Sequence, residues 1–208
     1  MTPAQRQAVA TLASEFNIAG TQLIDFTKEF GREAPIWLEI GFGDGDNLVS
    51  LARARPDVDF VGLEVHEPGV GRALMAASSE ELSNVRIVCV DAVEFITTRI
   101  AAGALDRVML LFPDPWPKKR HHKRRIVQPP FVSLIANRLR ANGRFHAATD
   151  WQPYAEHMLE VLGGEAALAP VERDGTVAAG STDRQETKFE RRGRRLGHDV
   201  FDLMFERV

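Results

Sequence analysis

The chain has 208 residues, 44% of them hydrophobic, and a formal net charge of -3 at pH 7, which suits one α/β domain with a full core, or barely two small ones. No stretch approaches the ~20 apolar residues of a membrane span, and the N-terminus MTPAQRQAVATLASEF lacks the apolar region of a signal peptide. The single cysteine, Cys89, excludes an intrachain disulfide or a CxxC metal site, so the expected setting is the cytoplasm.

Along the chain, short apolar runs alternate with helix-length amphipathic stretches, the pattern of a mostly parallel sheet covered on both faces. Helices are predicted at Pro3–Ala13 and Leu23–Phe30, then a first strand at Ile36–Gly41 and a helix at Gly45–Ala54. Next come a strand at Asp59–Val65, a helix at Pro68–Glu81, a strand at Val85–Val90 and a helix at Ala92–Ile100. A fourth strand, Arg107–Phe112, precedes a helix at Pro130–Leu139, whose start is marked by the proline pair at 129–130 and whose stop is marked by Asn142-Gly143. A fifth strand, Gly143–Thr149, leads to a helix at Trp151–Leu162, with Asp150 as N-cap and Pro153 in the first turn. A weak strand near Ala167–Arg173 and a strand at Val200–Arg207 flank the Ala/Gly-rich stretch 163–182. Without repeats or a clean boundary, the whole of 1–208 reads as one domain: a helical element over 1–30 and a core over 31–208. Cys89, inside the apolar run VRIVCV, is expected to be a packed thiol.

The first strand ends in Leu38-Glu39-Ile40-Gly41-Phe42-Gly43-Asp44-Gly45-Asp46. Glycines there let the backbone take up positive φ and approach a ligand closely. The spacing is G-x-G-x-G rather than the G-x-G-x-x-G of dinucleotide sites, and Glu39, Asp44 and Asp46 crowd a turn that a pyrophosphate would need free of carboxylates. Carboxylates suit a cationic cofactor with ribose hydroxyls, and S-adenosylmethionine (SAM) fits. Glu64 ends the second strand 23 positions after Gly41, near the roughly 20 expected for an acid that grips ribose. Asp91 ends the third strand, where it can meet the adenine amino group. Each acid alone could equally be a helix cap or a surface residue; together, at the ends of three successive strands beside a glycine turn, they outline one crevice.

The segment Phe112 to Arg125, FPDPWPKKRHHKRR, runs a proline-stiffened loop into six Lys/Arg and two His within eight residues. Its prolines hold Asp114 and Trp116 beside a basic surface, a setting that suits a splayed-out base on an anionic backbone. Asp114 can accept the donors of a guanine edge or balance charge on a ring nitrogen that becomes cationic. The bland alternative is an ordinary strand-end turn before a solvated charged helix. From Pro115 to Thr149 there is no acidic residue against nine Lys/Arg, and Arg191, Arg192, Arg194 and Arg195 form a second basic run. One face is therefore expected to bind phosphate. Lys118 lies nearest the stiff loop and is the cation expected to touch substrate. His121 and His122 read as basic surface, and no metal site is expected. Asp150 ends the fifth strand on the same sheet edge, and Thr187-Lys188-Phe189-Glu190 gathers hydroxyl, cation, ring and carboxylate in one loop.

With LEIGFG, FVGLEVHEPGVG, LSNVRIVCVDAVEF, LFPDPWPKKRHHKRRIVQPPF, FHAATDWQPYAEHML, TKFERRGRRLGH and FDLMFERV in order, the chain resembles the bacterial tRNA (guanine-N7-)-methyltransferases from about Pro35 to Val208. The resemblance implies a class I SAM-dependent methyltransferase fold: a seven-stranded, mostly parallel sheet with an antiparallel last strand and helices on both faces. It implies methyl transfer to the variable-loop guanine at position forty-six of tRNA. It further implies SAM contacts at Glu39, Glu64, Asp91 and Asp114, with Asp114 the catalytic residue, alongside the turn glycines Gly41 and Gly43. Substrate contacts are implied at Lys118, Asp150, Thr187, Lys188, Phe189 and Glu190. Relatives usually carry a basic arm ahead of the stretch matching TPAQRQAV. Either the start of this chain is truncated, or tRNA grip relies more on the two basic runs. No obligatory protein partner and no membrane are expected, and a monomer or homodimer fits. Two other readings stay open on the residues: a methyltransferase acting on an exocyclic or protein amide nitrogen through the same loop, and a catalytically idle RNA-binding subunit.

Overall fold

The computed structural model describes residues 1–173, 176–177 and 199–208. Its strands are β1 (Ile36–Ile40), β2 (Asp59–Glu64), β3 (Val85–Cys89), β4 (Leu105–Leu111), β5 (Leu139–Thr149), β6 (Leu168–Pro170), β7 (Glu172–Arg173), β8 (Thr176–Val177) and β9 (Phe201–Arg207). The helices are α1 (Pro3–Phe16), α2 (Phe26–Phe30), α3 (Asp46–Ala54), α4 (Glu67–Ser79), α5 (Ala92–Arg99), α6 (Pro129–Arg138) and α7 (Gln152–Gly163), with a 3₁₀ segment at Lys119–Arg124.

Seven strands form one sheet in the order β3-β2-β1-β4-β5-β9-β6, and β7 and β8 pair separately. The β1–β2, β1–β4, β2–β3 and β4–β5 ladders are parallel, while β9 runs antiparallel to both β5 and β6. This is the topology expected from the sequence, with the last strand reversed.

A parallel strand covered on both faces should be apolar throughout, and every residue of β1 is buried. Ile36, Leu38 and Ile40 point into one core with residues of α5, α6 and α7. Trp37 points the other way, into a second core with residues of α1, α3 and α4. Strand alternation puts Glu39 on that second face, directly beneath the glycine turn. Trp37 also carries the guanidinium of buried Arg107 at 4.1 Å and of Arg55 at 5.1 Å from its ring centroid. The N-terminus of α1 is closed by a capping box in which Thr2 and Gln5 bond reciprocally, so this helix has its own start signal.

Four local expectations are corrected. The second helix begins at Phe26, where Asp25 caps it through the Lys28 amide, not at Leu23. Asn142-Gly143 does not stop a helix: α6 ends at Arg138, β5 already starts at Leu139, and Asn142 (φ 61°) sits inside that strand, where the β4–β5 register shifts. The N-cap of α7 is Trp151 rather than Asp150, and the Trp151 amide bonds the Thr149 hydroxyl. The stretch Ala167–Arg173 is two short strands in different sheets, not one.

Candidate active site

Four parallel ladders align the carboxyl ends of β1 to β5 along one edge, so Glu64 ends its strand and Gly41, Asp91, Asp114 and Asp150 follow theirs on the same side of the sheet. The ladders continue past the strands: the Gly41 amide bonds the Leu63 carbonyl, the Val90 amide the Glu64 carbonyl, and the Phe112 amide the Ala148 carbonyl, at 2.8, 3.0 and 2.8 Å.

The turn after β1 needs its glycines. Gly41, Gly43 and Gly45 have φ of 69°, 60° and 85°, and a Cβ on Gly41 or Gly43 would meet no atom within 4 Å. The backbone is thus left bare on that side, as a closely approaching ligand requires. On its other side the turn is packed against α4, where a Cβ on Gly69 would sit 2.1 Å from the Gly43 carbonyl oxygen.

The acids around this turn have separate surroundings. Glu39 is buried, accepts the Asn47 side-chain amide at 2.9 Å, and is pushed up to about 7 by burial, which that hydrogen bond only partly offsets. Asp44 pairs with Arg72 of α4 at 2.7 Å. Asp46 is the first residue of α3, where a carboxylate meets the positive end of the helix. Glu64 accepts three backbone amides, those of Gly43 (2.9 Å), Val65 (2.7 Å) and His66 (2.9 Å). Asp91 is exposed and is also the N-cap of α5, accepting the Glu94 amide at 3.0 Å. The helix-cap reading thus holds for a side chain that is still exposed at the sheet edge.

Cys89 is exposed at the end of β3, in register with Glu64, not packed as its apolar run suggested. The strand's last residue already lies at the rim of the crevice. Burial and the charges of Glu67 and Glu64 raise its thiol pKa, which disfavours the thiolate and hence nucleophilic chemistry. Val65, just after Glu64, and Val93, two residues past Asp91, are exposed and supply apolar surface beside two of the acids. The sequence reading missed them because an isolated valine after a strand has no pattern.

The loop after β4 holds two bulky residues at positive φ, Phe112 (52°) and Trp116 (44°). Asp114 is exposed between them in sequence. Trp116 is only half-buried, yet Arg124 lies over its ring at 4.9 Å and His121 meets it edge-on at 5.8 Å. Lys118, Lys119, Arg120, Lys123 and Arg124 are exposed, as a basic face requires, whereas Arg125 is 3% exposed and belongs to the interior. Sequence alone grouped Arg125 with its neighbours, because nothing in a run of cations marks the one that turns inward. Tyr154, fully buried in α7, lies beneath this guanidinium. Burial pushes the Tyr154 phenol up to about 12, and the nearby Asp114 charge adds to the rise.

Beyond β5, a cavity of about 210 Å³ is lined by Asp150, Trp151, Gln152, Pro153, Asp199 and Phe201. The Trp151 indole nitrogen is buried without a hydrogen-bond partner among the described residues. Asp199 and Phe201 join the site from β9 and its approach, a long-range neighbour that spacing did not reveal. Thr187, Lys188, Phe189 and Glu190, with the second basic run at Arg191, Arg192, Arg194 and Arg195, lie outside the described residues. Among the described residues no group of three or more His, Cys, Asp and Glu could hold a metal ion, and no helix is long and apolar enough to cross a membrane.

The structure of the 16S rRNA methyltransferase KamB is similar, with a TM-score of 0.60 and 19% identity, over 90% of this chain and 95% of that one. TrmN from Thermus thermophilus matches with a TM-score of 0.58 and 16% identity, over 98% of this chain and 48% of that one. At such identities the likeness concerns the fold, that of the class I methyltransferases. Residues 33–203 match a family model described as "Putative methyltransferase". A tRNA (guanine-N(7)-)-methyltransferase of Serratia proteamaculans (strain 568) is 55% identical over 184 residues, 88% of this chain and 77% of the relative. One of Escherichia coli (strain K12) is 53% identical over 186 residues, 89% of this chain and 78% of the relative. With identity of this order over most of both sequences, on a sheet edge that brings together the glycine turn, the row of acids and the basic 3₁₀ segment, the chain belongs to the tRNA (guanine-N7-)-methyltransferase family.

Proposed function

We propose that this protein, acting in the cytoplasm as a single domain, transfers a methyl group from SAM to N7 of the guanine at position forty-six of tRNA. The observation that carries the reading is the shared sheet edge. A bare glycine turn and Glu64 lie at one part of it, and Asp114 follows the adjoining β4 beside an exposed basic segment.

Gly41 and Gly43 let the cofactor approach the backbone, Glu64 holds ribose hydroxyls, and Asp91 takes the adenine amino group. Glu39, beneath the turn, supplies negative charge toward the cofactor's cationic end when ionised. SAM, when bound, supplies a methyl group on a positively charged sulfur. Guanine N7 carries a free lone pair, so no side chain has to remove a proton before attack. What remains is alignment and electrostatics: Asp114 orients the base and offsets the positive charge that develops on its ring. Lys118 and Asp150 hold the target nucleotide, helped by Thr187, Lys188, Phe189 and Glu190. The basic face from Lys118 to Arg124 positions the RNA backbone without reading its bases.

Incubation with labelled SAM and bulk tRNA, followed by nucleoside analysis, tests this directly. Label in 7-methylguanosine at the variable loop is expected. Label in an exocyclic-amino product or in protein, or none at all, would overturn the reading.

A further inference from the structure

We infer that Arg125 is a positioning residue that holds the Asp114 loop from inside the protein, and not one of the cations that meet RNA. The inference rests on the proposed methyl transfer to tRNA and assigns this arginine a part in it.

Arg125 follows the 3₁₀ segment, where its amide bonds the His122 carbonyl at 3.0 Å. Five of the six cations from Lys118 to Arg125 are exposed; this one is 3% exposed. Its Nε–H donates at 2.9 Å to the carbonyl of Pro115, the residue directly after Asp114, on the Pro115–Trp116 peptide. Its guanidinium lies 4.8 Å from the ring centroid of Tyr154, a cation–π contact in a desolvated setting. The platform below is fixed in turn. The Val127 amide donates to the Tyr154 hydroxyl at 3.4 Å, and the His157 ring meets the Val127 carbonyl at 2.8 Å. A continuous path thus leads from α7, through residues 125 to 127, to the backbone beside Asp114.

Two features show why such a hold is needed. Phe112 and Trp116 both have positive φ, which bulky residues adopt only where their surroundings over-determine it. Prolines at 113, 115 and 117 leave the loop few backbone donors with which to fasten itself. Moreover, the Nη2 of Arg125 is buried with no hydrogen-bond partner among the described residues, and burial lowers the guanidinium pKa. A desolvated, incompletely paired cation is a poor way to stabilise a core. Its use is specificity of geometry: it sets the Pro115 peptide, and thereby the place of the Asp114 carboxylate.

Two nearly isosteric variants test this. Glutamine places its Nε2 where arginine has Nε, so Arg125→Gln retains a donor toward Pro115, whereas Arg125→Met puts a methyl group there. Folding is checked by thermal melting and SAM binding. The methionine variant should lose roughly 10- to 100-fold in single-turnover methylation with both substrates saturating, as for a displaced catalytic group. The glutamine variant should fall between it and the parent, because charge and ring contact are gone. Neither should change tRNA affinity or its salt slope. Hydrogen exchange in the peptide spanning residues 114–124 should quicken in the methionine variant, a readout independent of activity. Equal losses in both variants, a parental rate in either, unchanged exchange, or a slope flattened by about 0.7 to 0.9 per lost phosphate contact would overturn the inference. Should the methionine variant not fold, a lowered rate with a parental slope in the glutamine variant supports it, and a parental rate or flattened slope overturns it. A parent protein that methylates no tRNA would count against the proposed function; the exchange experiment would still decide the role of Arg125.

Discussion

The Glu64 carboxylate accepts the Gly43 amide at 2.9 Å, which ties the end of β2 to the middle of the glycine turn after β1. One residue thereby fixes the turn's backbone, and the proposed ribose contact would use its remaining lone pairs. Glu64→Ala should weaken SAM binding by ~1.5–3 kcal/mol, the range for a hydrogen bond to a charged group. Calorimetric titration with SAM and a filter-binding curve with tRNA give the comparison. Equal loss of both ligands in a folded variant would show that Glu64 is placed wrongly.

Asp114→Ala should cut single-turnover methylation by roughly two orders of magnitude or more, as for the loss of one well-placed electrostatic group. Asp114→Asn should be milder if hydrogen bonding to the base outweighs charge. A near-normal rate in the alanine variant, with both substrates saturating, would remove Asp114 from the mechanism.

Glu39 makes stability depend on pH with a definite sign. Burial raises its carboxyl from the ordinary 4.5 to about 7, so between those values the folded protein retains a proton that the unfolded chain has released. Stability therefore falls as pH rises through this window, and the penalty is complete above pH 7. Its size is roughly 3 kcal/mol. Glu39→Gln carries no such burden and should melt higher than the parent at pH 8, while the two converge at pH 5. Parallel melting curves across the range would mean that Glu39 ionises at no cost to the fold.

The exposed basic face should govern salt dependence. Lys119, Arg120 and Lys123 are exposed, and their replacement by Ala should flatten the slope of log K on log salt by roughly 2, at about 0.7 for each single-strand phosphate. All tRNAs should weaken alike, and SAM binding should hold. Lys118→Ala should damage turnover more than affinity if it grips the target nucleotide. An unchanged slope in the triple variant would mean that this face is merely solvated.

The sequence by itself determined the order of elements, the parallel sheet and the row of acids, because each depends on local pattern. The apolar runs of β1, β2 and β4 match strands buried on both faces, and the glycine turn needs only backbone freedom. Three things depended on how the elements pack against one another, and only the tertiary structure decided them. Arg125 is indistinguishable from Arg124 in the string, yet the packing of α7 turns one inward over Tyr154 and leaves the other over Trp116. Glu39 reads as one of the crevice acids, and strand alternation and α3 enclose it beside Asn47, where desolvation rather than spacing sets its charge. Cys89 and Asp199 come to the rims of the site through register and strand order. Periodicity reports which face a residue takes; whether a charge on that face meets water or protein is decided by whatever packs against it.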